Sequence, residues 1–166
     1  MLEGEFLRDG DGGVLSFERD MARSIETVWA ALTIPERVAN WCGNRAEIDL
    51  RVGGVFRILW PEGMGVMEGV ITVLEPPRVI EYSWVEASVA VPASRVRWTL
   101  TPRGSACRLR LEHIFTNVDT KSATEFAGGW EDIIASLEAG ADSLSKPMDM
   151  EAYKVKQAGY AAKFVP

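Results

Sequence analysis

Apolar and polar residues alternate along most of the chain, and the breaks in that alternation divide it into elements. In VLSFERDM, Leu15, Phe17 and Arg19 alternate with Ser16 and Glu18, the period of two of a strand with one covered face. The period then lengthens. Ile25, Val28, Trp29 and Leu32 share one side of a short helix, and Ser24 before them is a capping residue type. Thr33 and Pro35 predict the cap and first turn of a second short helix, ending near Trp41 and Gly43. From residue 45 the period of two returns. Ala46, Ile48, Leu50 and Val52 share a face, Gly53-Gly54 turns the chain, and Phe56, Ile58 and Trp60 alternate beyond it. A loop from Pro61 to Gly65 leads to a strand over 66–74, stopped by Pro76-Pro77. Three more strands follow: Ile80, Tyr82 and Trp84; Val96, Trp98 and Leu100; and Cys107, Leu109, Leu111 and His113.

The last strong pattern is helical. Phe126, Trp130, Ile133, Ile134, Leu137, Ala141 and Leu144 recur at helix spacing. Ser122-Ala123-Thr124-Glu125 has the form of a capping box, which predicts a start at about Ala123; the end falls near Ser145–Pro147. Gly128 and Gly129 stand inside the first turns, directly before Trp130. Each costs a helix interior about 1 kcal/mol relative to alanine. The pair therefore implies either close approach of another backbone or room beside Trp130.

Consecutive strands joined by short turns imply an antiparallel sheet, whose apolar face needs cover. The expected fold class is α+β: a curved antiparallel sheet of six to seven strands wrapped around one long C-terminal helix, with two short helices after strand 1. Residues 1–13, rich in glycine and acid, read as a loose N-terminal segment, 14–144 as one domain, and 145–166 as a C-terminal tail. The tail carries Tyr153, Tyr160 and Phe164, which need a surface; a homodimer would supply one.

Composition narrows the partners. At 166 residues and 47% hydrophobic, the chain can bury a sizeable core. A net charge of −6 argues against nucleic acid and anionic membrane surfaces. No apolar run approaches the ~20 residues of a membrane span. The acidic N-terminus lacks the basic and apolar regions of a signal peptide, so a cytoplasmic location is expected. Two cysteines and one histidine make neither a disulfide framework nor a zinc site. No metal and no cofactor are expected.

Several stretches together resemble a known family: SIETVWAALTIPERVANWCG, VGGVFRI, MEGVITVLEPPRVIEYSW, SRVRWTLTPRGSACRLRLEHIF and AGGWEDIIASL. The series is similar to the START-like (Bet v 1-like, helix-grip) superfamily. Within it, the nearest likeness is to bacterial homologues of the C-terminal domain of the Hsp90 ATPase activator. The resemblance covers roughly residues 14–144. It implies a helix-grip fold with a cavity between sheet and helix that takes apolar ligands, and a chaperone as an alternative partner. Two positions depart from the family. A histidine common just before the glycine–tryptophan pair is replaced around Phe126, and a threonine common at the start of the last strand is Cys107.

The candidate chemistry is that of a binding site. Tryptophans 29, 41, 60, 84, 98 and 130 are the most informative residues. They are core packing, an aromatic-lined pocket, or both. The pocket expected on that reading is lined by Trp41, Phe56, Ile58, Trp60, Tyr82, Trp84, Trp98, Leu111, His113, Phe126, Trp130 and Ile134, with Trp41 as a gate near the mouth. His113 is either a general base or a semi-buried histidine bonded to a backbone carbonyl. Cys107 and His113 lie about 20 Å apart on one strand at ~3.4 Å per residue, too far for a dyad. Glu81 and Glu112 are expected at the solvent face, interleaved with Arg95, Arg97, Arg108 and Arg110. The reading is a non-catalytic protein that holds a small apolar or aromatic ligand. The alternatives are a chaperone-linked interaction protein and an enzyme of polyketide cyclase or aromatase type using His113 or Tyr82.

Overall fold

The computed structural model of the chain describes residues 3–42, 44–139 and 149–164. The elements run β1 (Glu5–Asp9), β2 (Gly12–Met21), α1 (Ile25–Thr33), α2 (Pro35–Cys42), β3 (Arg45–Ile48), β4 (Val55–Leu59), β5 (Val66–Glu75), β6 (Val79–Glu86), β7 (Ser94–Arg103), β8 (Ala106–Phe115), α3 (Thr120–Ala139) and α4 (Met150–Lys163). The strands form one sheet in the order β1-β2-β8-β7-β6-β5-β4-β3, and every neighbouring pair is antiparallel. After β2 the chain crosses to the far edge through α1 and α2. Successive hairpins then bring it back until β8 lies beside β2.

Seven of the eight strands are the expected ones. The eighth, β1, lies in the segment expected to be loose. It pairs with β2 from Glu5↔Ser16 to Asp9↔Gly12. Only Phe6 among its residues is even half-buried, so no apolar alternation announces it; backbone pairing at the sheet edge holds it. β3 is shorter than expected. The alternation through Leu50 and Val52 belongs to a turn, and those side chains are 42% and 61% exposed. Gly54 sets that turn: its amide donates to the Arg51 carbonyl at 2.9 Å, and a Cβ there would lie 1.9 Å from the Asp49 oxygen.

The helix starts show local chemistry. Ser24 caps α1, its hydroxyl accepting from the Thr27 amide at 3.2 Å. Thr33 does not cap α2. It ends α1, with its hydroxyl donating to the Trp29 carbonyl, and Ile34 supplies the junction. α3 begins at Thr120 rather than near Ala123, because the Asp119 carboxylate accepts from the Ser122 amide at 2.7 Å. Glu125 pairs instead with Lys121 on the same helix face. The expected positions Ala141 and Leu144, and the helix end near Ser145–Pro147, lie outside the described residues.

The core sits between the sheet's inner face and α3. Phe17, Phe56, Tyr82, Trp98 and Leu111 from the strands meet Ala127, Trp130, Ile134 and Leu137 from the helix. Each large ring removes ~150–250 Å² from water, worth at most about 4–6 kcal/mol before the entropy of ordering is subtracted.

The tail is a helix on the same chain. α4 is capped by Asp149, whose carboxylate accepts from the Glu151 and Ala152 amides. It lies across α3 at Gly128, where a Cβ would sit 3.1 Å from Tyr153 Cε2. The Tyr153 hydroxyl donates to the Glu125 carbonyl at 3.1 Å, and Lys156 pairs with Asp132. The Tyr160 hydroxyl donates to the Glu131 carboxylate and accepts from the Gly4 amide at 2.8 Å. Phe164 packs on Phe6 of β1. The aromatic side chains that gave a reason for a homodimer therefore find their surface within the chain.

The outer sheet face is a charge mosaic. Arg108 pairs with Glu18 and Asp20, and Arg110 with Glu18 and Glu112. Glu81 does sit on this face, yet it is only 7% exposed. Arg97 approaches its carboxylate at 3.1 Å and the Thr72 hydroxyl donates to it.

Candidate functional site: an aromatic interior with one open corner

Strand alternation places the expected pocket residues. From β4, β6, β7 and β8 it sends Phe56, Ile58, Tyr82, Trp84, Trp98, Leu111 and His113 inward. One face of α3 adds Trp130 and Ile134. Their rings touch one another. Phe56 stacks on Tyr82 at 3.9 Å, and Trp130 meets Trp84 at 5.2 Å and Trp98 at 5.5 Å, edge to face. Trp60 and Phe126 are half-buried at the margin. The interior is thus filled by its own aromatic side chains.

The polar atoms among these rings are paired in a way that sets their chemistry. His113 is fully buried. The Trp130 indole N–H donates to His113 Nδ1 at 3.1 Å, and His113 Nε2 lies 2.8 Å from the Ser94 hydroxyl. Because Nδ1 accepts, Nε2 carries the proton and donates to Ser94, whose own proton points to the Trp84 carbonyl at 3.5 Å. Burial pushes the His113 pKa down from 6.5 to about 3. The ring is neutral near pH 7, more deeply buried than expected, and bonded to side chains rather than to a backbone carbonyl. Tyr82 is held in the same manner. Its hydroxyl accepts from Trp98 Nε1 at 2.9 Å, and burial raises its pKa.

Trp41 does not stand at a mouth. Its indole N–H donates to the Ala31 carbonyl at 2.9 Å and its ring tilts against Trp98 inside the core. Cys42 and Cys107 are buried thiols whose pKa values burial raises, a state that disfavours the reactive thiolate. Among the described residues, no group of three His, Cys, Asp or Glu side chains is placed to hold a metal ion.

The interior reaches the surface at a corner formed by Trp84, Glu86, Ser94, Phe126 and the β6–β7 connection at Val89, Val91 and Pro92. The crevice there has a volume of about 10 Å³. Trp84 is only 4% exposed, and its indole N–H interacts with the Glu86 carboxyl. The half-buried Glu86 carboxyl faces the corner. Burial raises its pKa, and the indole N–H groups of Trp84 and Trp60 oppose the rise. Sequence reasoning missed Ser94 and Glu86. Ser94 had a signal: it shares the inward parity of Val96, Trp98 and Leu100, a polar residue at a buried position.

A larger concavity, about 750 Å³, lies elsewhere. It is an open shelf along β2 lined mainly by charged side chains, among them Glu18, Arg19, Arg108 and Lys163. Its carboxylates and cations are paired with each other, and no expected site residue borders it.

Residues 22–141 match the family described as activator of Hsp90 ATPase homolog 1-like protein. The chain belongs to this family. No curated protein matches the AHSA1-like chain. Solved structures do. CalU16 from Micromonospora echinospora is 26% identical over 98% of this chain and 94% of that one, with a TM-score of 0.73. MLL2253 from Mesorhizobium loti is 27% identical over 76% and 94%, with a TM-score of 0.68. EF2215 from Enterococcus faecalis is 17% identical over 96% and 89%, with a TM-score of 0.77, and shows the fold alone. Family and neighbours place the AHSA1-like chain in the helix-grip, START-like superfamily, as its motif series implied.

Proposed function

We propose that this AHSA1-like protein binds a small apolar or aromatic molecule without covalent chemistry, at the aromatic interior reached through the Trp84–Phe126 corner. The observation that carries the reading is the continuous wall of rings from Tyr82 through Trp84 and His113 to Phe126, ending at a crevice open to the surface. Such a lining with few polar handles is found in small-molecule sites of about 300–1,000 Å³, so the crevice of about 10 Å³ must widen to take a ligand. Because the rings fill the space between sheet and α3, a ligand is admitted by movement of the segment 87–93 and of Phe126. The binding energy comes from burial of its apolar surface at ~25 cal/mol per Å².

Two observations favour binding over catalysis. His113 is held neutral with both ring nitrogens occupied, and the Tyr82 hydroxyl is engaged and hard to ionise. The chaperone reading has the family name behind it. The outer-face arginines that would form a basic docking patch are neutralised by Glu18, Glu81 and Glu112.

The test is a thermal-shift screen against apolar and aromatic metabolites. A compound that binds only the folded state raises Tm in a concentration-dependent way, and native mass spectrometry then shows a one-to-one adduct. A screen without any saturable shift, together with a bare mass for protein purified from its host, would overturn the reading.

A further inference from the structure

Glu86 stands where alternation calls for an apolar side chain. Ile80, Tyr82 and Trp84 of β6 point inward, and Glu86 is next in their row, opposite the buried Met67 of β5. It lines the corner crevice together with Trp84, Phe126, Val91 and Pro92. Every other buried or half-buried carboxylate among the described residues has a cationic partner. Arg57 pairs with Glu47, Arg97 with Glu81, Arg110 with Glu112, Lys121 with Glu125, Arg19 with Glu131 and Lys156 with Asp132. Among the same residues Glu86 has only the indole N–H groups of Trp84 and Trp60, and burial outweighs them in raising its pKa. Neutral donors stabilise a carboxylate without cancelling its charge. An ionised carboxyl accepts at about four sites, so two indoles leave room for a further donor.

We infer that Glu86 anchors an ammonium group, and that the ligand is an amine with an apolar or aromatic body. The ammonium donates to the carboxylate at the crevice, and the body lies along Phe126 and Val91 toward the interior. This inference rests on the binding reading above and specifies it. A cation supplies what the corner lacks, and a charge-assisted hydrogen bond is stronger in a partly dry site than in water. The net charge of −6 favours the approach of cations and opposes that of anions. A hydrocarbon of the same shape covers the apolar walls but strips water from the carboxylate without replacing it. An anion adds repulsion to that loss.

Three probes of similar shape separate the terms: naphthylethylamine, ethylnaphthalene and naphthoate, titrated against the full chain by protein NMR. The wild type is expected to bind the amine about tenfold more tightly than the hydrocarbon, the value of one charge-assisted hydrogen bond, and naphthoate most weakly. Glu86→Gln keeps an acceptor for the two indoles and removes the charge, so the preference for the amine falls to near one while ethylnaphthalene affinity is unchanged. Glu68→Gln changes the net charge equally, on the outer sheet face, and leaves the preference in place. A further readout needs no variant: added salt weakens binding of the amine and not of the hydrocarbon. Equal wild-type affinity for amine and hydrocarbon, or a preference that survives Glu86→Gln, overturns the inference while leaving the binding reading intact. If none of the three probes binds, the thermal-shift screen extended with aliphatic and aromatic amines decides. Hits that all lack a basic nitrogen overturn the inference alone, and the absence of any hit overturns both.

Discussion

His113 shows how one buried side chain organises its neighbours. It is the acceptor for Trp130 and the donor to Ser94, and it stacks on Phe115 at 4.1 Å. Its removal leaves two polar groups unpaired beside a void, so His113→Ala is expected to cost about 3–5 kcal/mol in urea unfolding. The histidine also makes stability depend on pH. The unfolded chain takes up a proton near 6.5, whereas the folded ring stays neutral to about 3. Below 6.5 the unfolded state therefore binds more protons. The contribution is fully present above that value and declines as pH falls, by up to about 1.4 kcal/mol per unit. His113→Gln should lose this part of the acid slope, measured as unfolding free energy between pH 7 and 4 on the wild type and variant. The two helix glycines separate at the same scale. A Cβ at Gly129 meets nothing within 4 Å, so Gly129→Ala should gain about 0.5–1 kcal/mol and raise Tm by roughly 1–4 °C. Gly128→Leu should instead push against Tyr153 and lower Tm.

At the scale of elements, α4 ties together parts of the chain that the sheet does not join. Tyr160 reaches the Glu131 carboxylate of α3 and the Gly4 amide just before β1. Arg19 of β2 pairs with Glu3, Glu131 and Glu138 in the same cluster. A chain ending at Glu138 should therefore lose amide exchange protection in β1 while β6, β7 and β8 keep theirs, read by hydrogen exchange mass spectrometry. Equal loss across the sheet would show that α4 is part of the global folding unit. The elements also show what local signals mean. Ser24 caps as its type and position predict. The capping box at Ser122 is outcompeted by Asp119 three residues earlier, where the carboxylate reaches the free amide of the first turn.

At the scale of the whole molecule, ligand admission must trade ring–ring contacts for ring–ligand contacts, because the interior is closed by its own side chains. That exchange makes the β6–β7 connection and Phe126 the parts whose exchange protection should change most when a ligand binds. Alternation in the strands and the helix period of α3 determined which residues face inward, since each period follows from backbone geometry alone. The α+β class, the antiparallel meander, the inner positions of Tyr82, Trp84, Trp98, His113 and Trp130, and the family likeness were all legible there. β1 was not, because a backbone-paired edge strand needs no apolar pattern. Nor was the partner of Gly128, because α4 meets α3 through contacts far apart in sequence. The state of His113, the burial of Trp41 and the meeting of Trp84 with Glu86 were decided only by the fold. Whether a polar atom finds a partner depends on which distant side chain lies within about 3 Å of it.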